Sequence, residues 1–135
     1  MVYLTRKVEF CASHRYYIDE KSEEENLKLF GKCSYPHGHG HNYILEVTVK
    51  GDVNPQTGMV MNLTDIDKIL KDVVVETMDH KFLNLDIPEF KDKIPTTENL
   101  VLYIWDSLVD AIDGCSLHRV RLHEDPFLYA EFYGE

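Results

Sequence analysis

At 135 residues and 15.8 kDa the chain has room for one hydrophobic core, because two cores would each fall below the size that usually folds unaided. Its 44% hydrophobic and 28% charged residues describe a globular chain, neither disordered nor fibrous, and its longest apolar runs, Val73 to Val75 and Leu100 to Trp105, are far too short to span a bilayer. A net charge of −10 argues against nucleic acid, whose phosphates need clustered Lys and Arg, and a phosphorylated ligand would have to find local positive charge among Arg6, Lys7, Arg15, Lys28 and Lys32.

Val2, Leu4, Val8, Phe10 and Ala12 share one parity and predict a half-buried strand. Residues 13 to 40 read as a long irregular segment, of the kind that is usually functional, with one short helix signalled by Ser22 and Glu25 at capping-box spacing. Tyr43, Leu45, Val47 and Val49 predict a second strand, and Asp52 to Gly58 supplies turn residues. After Asn62 or Thr64 a helical pattern places Ile66, Ile69, Leu70 and Val73 on one face and should end near Met78, beside Asp79 and His80. Thr96 or Thr97 can cap a second helix that runs through Ile104 and Leu108 to a stop at Gly114. Strands over His118 to Glu124 and Leu128 to Tyr133, turned at Asp125-Pro126, complete the chain. The expected architecture is α+β, a four-stranded antiparallel sheet in ββααββ order with two helices on one face, forming a single domain over residues 1–135.

The N-terminus lacks the basic-then-apolar order of a secretory signal. Cys11, Cys33 and Cys115 are odd in number and widely spaced, which argues against a disulfide framework and suits a reducing, cytoplasmic setting.

His39 and His41 lie two apart at the start of a strand, so both imidazoles leave the same face, and His14 ends the strand expected to pair with it. Three neutral imidazoles with one open position describe a catalytic zinc site, whereas structural zinc usually takes four protein ligands. His37 and His39 share the same spacing, but His37 follows Pro36 in the loop and is the weaker candidate. Cys33 reads equally as a fourth ligand, a buried apolar filler or a base whose thiolate a nearby dication favours. Asp79-His80 suits either a carboxylate orienting an imidazole for proton transfer or a helix cap beside a solvated neighbour. Glu124 shares the parity of Val120 and Leu122, so its carboxylate can face inward and must then be paired or bind something. Tyr129, Tyr133 and Trp105 read as core or interface aromatics. There is no glycine-rich nucleotide fingerprint and no Walker sequence, so a nucleotide cofactor is not expected.

Phe10-Cys-Ala-Ser-His14, Gly31-Lys-Cys33, His39-Gly-His-Asn-Tyr43, Gly58-Met-Val-Met-Asn-Leu63, Met78-Asp-His80, Pro95-Thr-Thr-Glu-Asn99 and Tyr103-Ile-Trp105, in this order and spacing, resemble the 6-pyruvoyl tetrahydropterin synthase family over nearly the whole chain. The resemblance implies a tunnelling fold whose subunits close into barrels, a homohexamer made of two trimers, and active sites between subunits. It implies Zn2+ on His14, His39 and His41, with Cys33 as catalytic base and Asp79 and His80 as its proton-relay partners. Glu124 would anchor the pterin, with Thr96, Thr97 and Glu98 among the substrate contacts. The implied reaction is loss of triphosphate from 7,8-dihydroneopterin triphosphate, with internal redox in the side chain, to give 6-pyruvoyl-tetrahydropterin for tetrahydrobiopterin synthesis. The related 6-carboxy-tetrahydropterin synthases of queuosine synthesis typically place the cysteine four residues before the first zinc histidine. Here Cys33 precedes His39 by six, as in the eukaryotic enzymes. A non-catalytic zinc- or pterin-binding module is the reading from another class, and it would need none of Cys33, Asp79, His80 and Glu124.

Overall fold

The computed structural model describes residues 1–135. Strand β1 (Val2–His14) pairs antiparallel along its whole length with β2 (His39–Gly51), from Val2 opposite Gly51 to His14 opposite His39. Helix α1 (Glu23–Phe30) lies between them in sequence and begins with the expected capping box, Ser22 accepting from the Glu25 N–H and Glu25 reaching back to the Ser22 N–H. Helix α2 starts at Leu63–Ile69, capped by Asn62, and continues without a break through a π-helical stretch, Leu70–Val75, and a last turn, Glu76–Met78. After it come β3 (Lys81–Phe82), the single turn α3 (Leu83–Asp86), and α4 (Thr97–Leu108), capped by Thr96. Strands β4 (Ser116–Asp125) and β5 (Leu128–Phe132) end the chain.

The sheet has five strands rather than the expected four, in the order β3-β1-β2-β4-β5. β3 is parallel to β1, through Ala12 opposite Lys81 and Ser13 opposite Phe82, so the sheet is mixed and ββααββ describes only its larger elements. A two-residue strand has no side-chain period to betray it.

The core lies between one sheet face and the helices. Phe10 and Ala12 of β1, Tyr43, Leu45, Val47 and Val49 of β2, and Val120 and Leu122 of β4 meet Ile66, Leu70, Val74 and Met78 of α2 and Leu100, Val101, Ile104 and Leu108 of α4. Each such aliphatic burial contributes about 1.5–3 kcal/mol before the ordering cost. The apolar alternation of β1 does not all reach this core: Val2 and Leu4 are exposed, because the helices cover only the far half of the strand. Tyr129 and Tyr133 are exposed on the single chain and so lie outside its core, while Trp105 packs partly buried on Phe132. No helix is long and apolar enough to cross a membrane.

Candidate metal centre and its surroundings

Where β1 ends and β2 begins, the inward parity that carries Phe10 and Ala12 also carries His14, and the parity of Tyr43 carries His41 and His39. The strand pairing therefore collects three imidazoles at one end of the core. Their donor atoms all lie within 4.8 Å of one another, and His14 Nε2 stands 3.2 Å from His39 Nε2. The chain can enter β2 here because Gly38, at φ 70°, passes so close to β1 that a Cβ would lie 2.8 Å from the His14 carbonyl oxygen.

The histidine chemistry fits a cation. The Pro95 carbonyl can only accept, so the His14 Nδ1 at 3.1 Å carries the proton and its Nε2 presents a lone pair. Thr96 holds that carbonyl in place: its hydroxyl accepts from the Asn99 N–H, and Asn99 donates in turn to Ile94. Burial, then the neighbouring His39 and His41, push His14 down to about 3, and burial followed by His41 lowers His39. Both rings are thus neutral near pH 7. His41 Nε2 is buried with no hydrogen-bond partner, an arrangement that a bound ion would satisfy. Two nitrogens on one tetrahedral zinc, each about 2.0–2.1 Å from it, stand roughly 3.3 Å apart, close to the spacing of His14 and His39.

Glu124 completes the group. It is buried and inward, as its parity with Leu122 predicts, and Oε1 lies 3.6 Å from His41 Nε2 and 3.7 Å from His14 Nε2. With His14 neutral its approach to Glu124 is not an ion pair, and a buried carboxyl group needs a partner that a bound cation would supply. The same oxygen accepts from the Tyr16 hydroxyl at 3.2 Å. No motif spacing marks Tyr16 in the sequence, since it lies in the irregular stretch after His14. Its ring packs on His14 at 4.8 Å, and its N–H donates to the Cys33 carbonyl at 2.8 Å. Burial first, then Glu124, Cys33 and Glu98, raise its hydroxyl pKa far above the ordinary tyrosine value.

Cys33 lies in a 3-10 turn, Gly31–Ser34, held against the end of β1 by that bond and by Arg15 donating to the Ser34 carbonyl at 2.8 Å. It is outside the gathered histidine donors. Burial and then Glu124 push its thiol up, and a cation nearby would act in the opposite sense. Asp79 and His80 form a pair of their own, Nδ1 to Oδ2 2.9 Å. Within one chain no hydrogen bond or ion pair joins them to Cys33; they stand beside Cys11 instead. Thr97 is buried with its hydroxyl unpartnered, and Glu98 is exposed. His37 is exposed in the turn before Gly38 and takes no part in the cluster. His123 points to the other sheet face, where it meets Glu46 at 2.5 Å. Of the basic candidates, Arg6 is tied to Asp67 and Arg15 lies over the Tyr17 ring, whereas Lys7 lines a cleft of about 500 Å³ that His41 and Glu124 also line.

The family model of 6-pyruvoyl tetrahydropterin synthase matches residues 3–135. The chain belongs to that family. It is 48% identical over 132 residues to a 6-pyruvoyl tetrahydrobiopterin synthase of Pongo abelii, covering 98% of this chain and 91% of the relative. The solved 6-pyruvoyl tetrahydropterin synthase of Caenorhabditis elegans superposes with a TM-score of 0.92 at 34% identity, over 99% of this chain and 96% of the other. A putative 6-carboxy-5,6,7,8-tetrahydropterin synthase of Archaeoglobus fulgidus is 39% identical over 93 residues, 69% of this chain and 73% of its own. The mixed α+β fold is thus that of a solved synthase, and the histidine cluster is one that a metal-binding synthase of this family can use.

Proposed function

We propose that this single-domain chain, residues 1–135, is a 6-pyruvoyl tetrahydropterin synthase of the cytoplasm. It eliminates triphosphate from 7,8-dihydroneopterin triphosphate and rearranges the side chain to 6-pyruvoyl-tetrahydropterin, a step of tetrahydrobiopterin synthesis. Family membership over residues 3–135 supports the reaction class. The observation that carries the site is the convergence of His14, His39 and His41 beside Glu124.

His14, His39 and His41 hold Zn2+ in this reading, with the His14 tautomer set by Pro95. The chemistry zinc supplies when bound to three imidazoles is Lewis acidity toward the hydroxyl oxygens of the substrate side chain, which acidifies the neighbouring C–H groups. Glu124 accepts N–H groups of the pterin ring and so fixes the distance from ring to side chain. Tyr16 donates to Glu124 and keeps its carboxylate aimed at the centre. Cys33 takes the proton from the side-chain carbon. Asp79 orients the His80 imidazole, and the pair passes that proton on. Because Asp79 and His80 stand by Cys11 in their own chain, they serve the Cys33 of a neighbouring subunit. Thr97, with its unpartnered buried hydroxyl, contacts substrate together with Thr96 and Glu98, and Lys7 is the basic group nearest the cleft for the phosphates. The subunits close into barrels and assemble as a homohexamer of two trimers. Electrons stay within the substrate, in keeping with a chain that carries no nucleotide fingerprint.

The test is product identification. Zinc-loaded protein incubated with 7,8-dihydroneopterin triphosphate should release triphosphate and the pyruvoyl compound, identified by mass spectrometry. A carboxy-tetrahydropterin as the main product would assign the chain to the other branch, whose Archaeoglobus relative shares 39% identity. Bound zinc with no triphosphate released would indicate a non-catalytic module.

A further inference from the structure

A second group of donors stands apart from the three histidines. Cys11 has the opposite parity to Phe10 and Ala12, so its thiol leaves the sheet on the face away from the core. Its backbone is clasped by the corner that follows α2. The Cys11 N–H donates to Asp79 Oδ1 at 2.9 Å, and the His80 N–H donates to the Cys11 carbonyl at 2.6 Å. The clasp turns His80 into the left-handed region, φ 60°, which a non-glycine residue adopts only when its surroundings hold it there. The result is a thiol, a carboxylate and an imidazole whose donor atoms all lie within 4.8 Å of one another. Two of the three donors sit on fixed supports, Cys11 on a strand and the Asp79 carboxylate on the Cys11 N–H, while the His80 ring is mostly exposed in the single chain. Cys11 and His80 border a cleft of about 510 Å³ that Asn42, Asp86 and His41 also line, which gives an entry path.

We propose that Cys11, Asp79 and His80 form a second metal site, separate from the histidine triad, for a borderline or soft divalent cation such as Zn2+ or Cd2+. A thiolate with an imidazole and one carboxylate suits these ions and not Mg2+ or Ca2+, which prefer oxygen alone. The cation takes the place of the proton shared between His80 Nδ1 and Asp79 Oδ2, 2.9 Å apart, and displaces the proton of the Cys11 thiol. Binding therefore releases protons and strengthens as pH rises. With three ligands and an exposed imidazole, the site fills only after the buried triad. A filled site removes the imidazole lone pair from proton transfer, so excess zinc inhibits turnover, a consequence that rests on the reading of Asp79 and His80 as the relay.

The full chain carrying one zinc equivalent is titrated with Cd2+, with calorimetric stoichiometry and the thiolate-to-metal charge-transfer absorption as readouts. The expected result is one further equivalent per chain and a charge-transfer band that Cys11→Ser abolishes and Cys33→Ser retains. His80→Gln should weaken the further equivalent by about tenfold or more, since removing a ligand costs at least what loss of an outer partner does. His39→Ala should lose the first equivalent and keep the second. Circular dichroism of Cys11→Ser keeps a folding defect distinguishable from a lost ligand. No further equivalent in the wild-type chain, or a band that survives Cys11→Ser, overturns the proposal. In turnover assays excess Zn2+ should inhibit the wild-type chain and spare Cys11→Ser. A bound second equivalent that leaves wild-type turnover untouched would uphold the site and overturn the relay reading instead.

Discussion

The Tyr16 hydroxyl donates to the same Glu124 oxygen that stands 3.6 Å from His41 and 3.7 Å from His14. One phenol thereby fixes where the carboxylate sits relative to the three histidines. Tyr16→Phe removes a hydrogen bond to a charged group, worth about 1.5 kcal/mol, and should lower kcat/KM roughly tenfold while bound zinc stays stoichiometric. Unchanged kcat/KM would show that Glu124 is held by other means. Cys33 and His39 separate in the same assay. Cys33, outside the gathered donors, should keep the metal and lose nearly all turnover as Cys33→Ala, whereas His39→Ala should lose the metal, as metal analysis of the purified variants would show. A zinc-depleted Cys33→Ala would make Cys33 a ligand.

At the scale of the elements, the sheet face without helices is ordered by charge. Glu46 of β2 is buried there between Arg119 and His123 of β4, with Lys7 of β1 at 4.0 Å. Burial alone would raise its pKa, but the His123 hydrogen bond, then Lys7 and Arg121, more than offset it and hold Glu46 below the usual glutamate range. The sign follows from proton binding: a folded pKa below the unfolded one means that the unfolded chain takes up more protons on the acid side. The stability from this pair is therefore present above the unfolded value, about 4.5, and is lost as pH falls through the folded value. Glu46→Gln should lower stability at pH 7 by about 1–3 kcal/mol and flatten the loss below about pH 4.5. Urea midpoints at pH 7 and pH 4 that shift equally in both proteins would contradict this.

The elements also show which parts of the molecule their sequence reveals. Strands β1, β2 and β4, the short helix α1 with its Ser22 cap, and both long helices, whose caps Asn62 and Thr96 are each one of two neighbouring candidates, are legible, because period and capping act over a few neighbouring residues. The buried face of α2 is less so: Ile66, Leu70, Val74 and Met78 recur every four residues, since the π-helical stretch Leu70–Val75 widens the turn, and the expected Ile69 and Val73 fall to its flank. β3, Tyr16 and the pairing of Cys11 with Asp79-His80 depend on contacts across more than sixty residues, which no local pattern encodes. The histidine cluster is legible because strand pairing converts the parity of His14, His39 and His41 directly into proximity.

For the whole molecule, the single chain leaves apolar side chains and strand edges unmatched. The outer half of β1 presents Val2, Tyr3 and Leu4 to solvent, β5 presents Leu128 and Tyr129 at an open edge, and β3 covers only two residues of the other edge. Open edges with exposed apolar side chains invite pairing with another chain, and a curved sheet removes its edges by joining others into a barrel. In the proposed reaction the placement of Asp79 and His80 away from Cys33 asks for the same thing, since a relay must reach its base to within a hydrogen bond or one water. The two demands are met together if β5 of one subunit joins the outer edge of the next and brings a foreign Asp79-His80 to each Cys33. Analytical ultracentrifugation should then show a hexamer, and specific activity should fall on dilution in step with dissociation. Mixing Cys33→Ala with His80→Ala chains adds a sharper readout: each is inactive alone, and mixed assemblies should regain a fraction of activity, because some interfaces pair an intact cysteine with an intact relay. Full activity in a monomer, or no recovery in verified mixed hexamers, would place the relay within one chain.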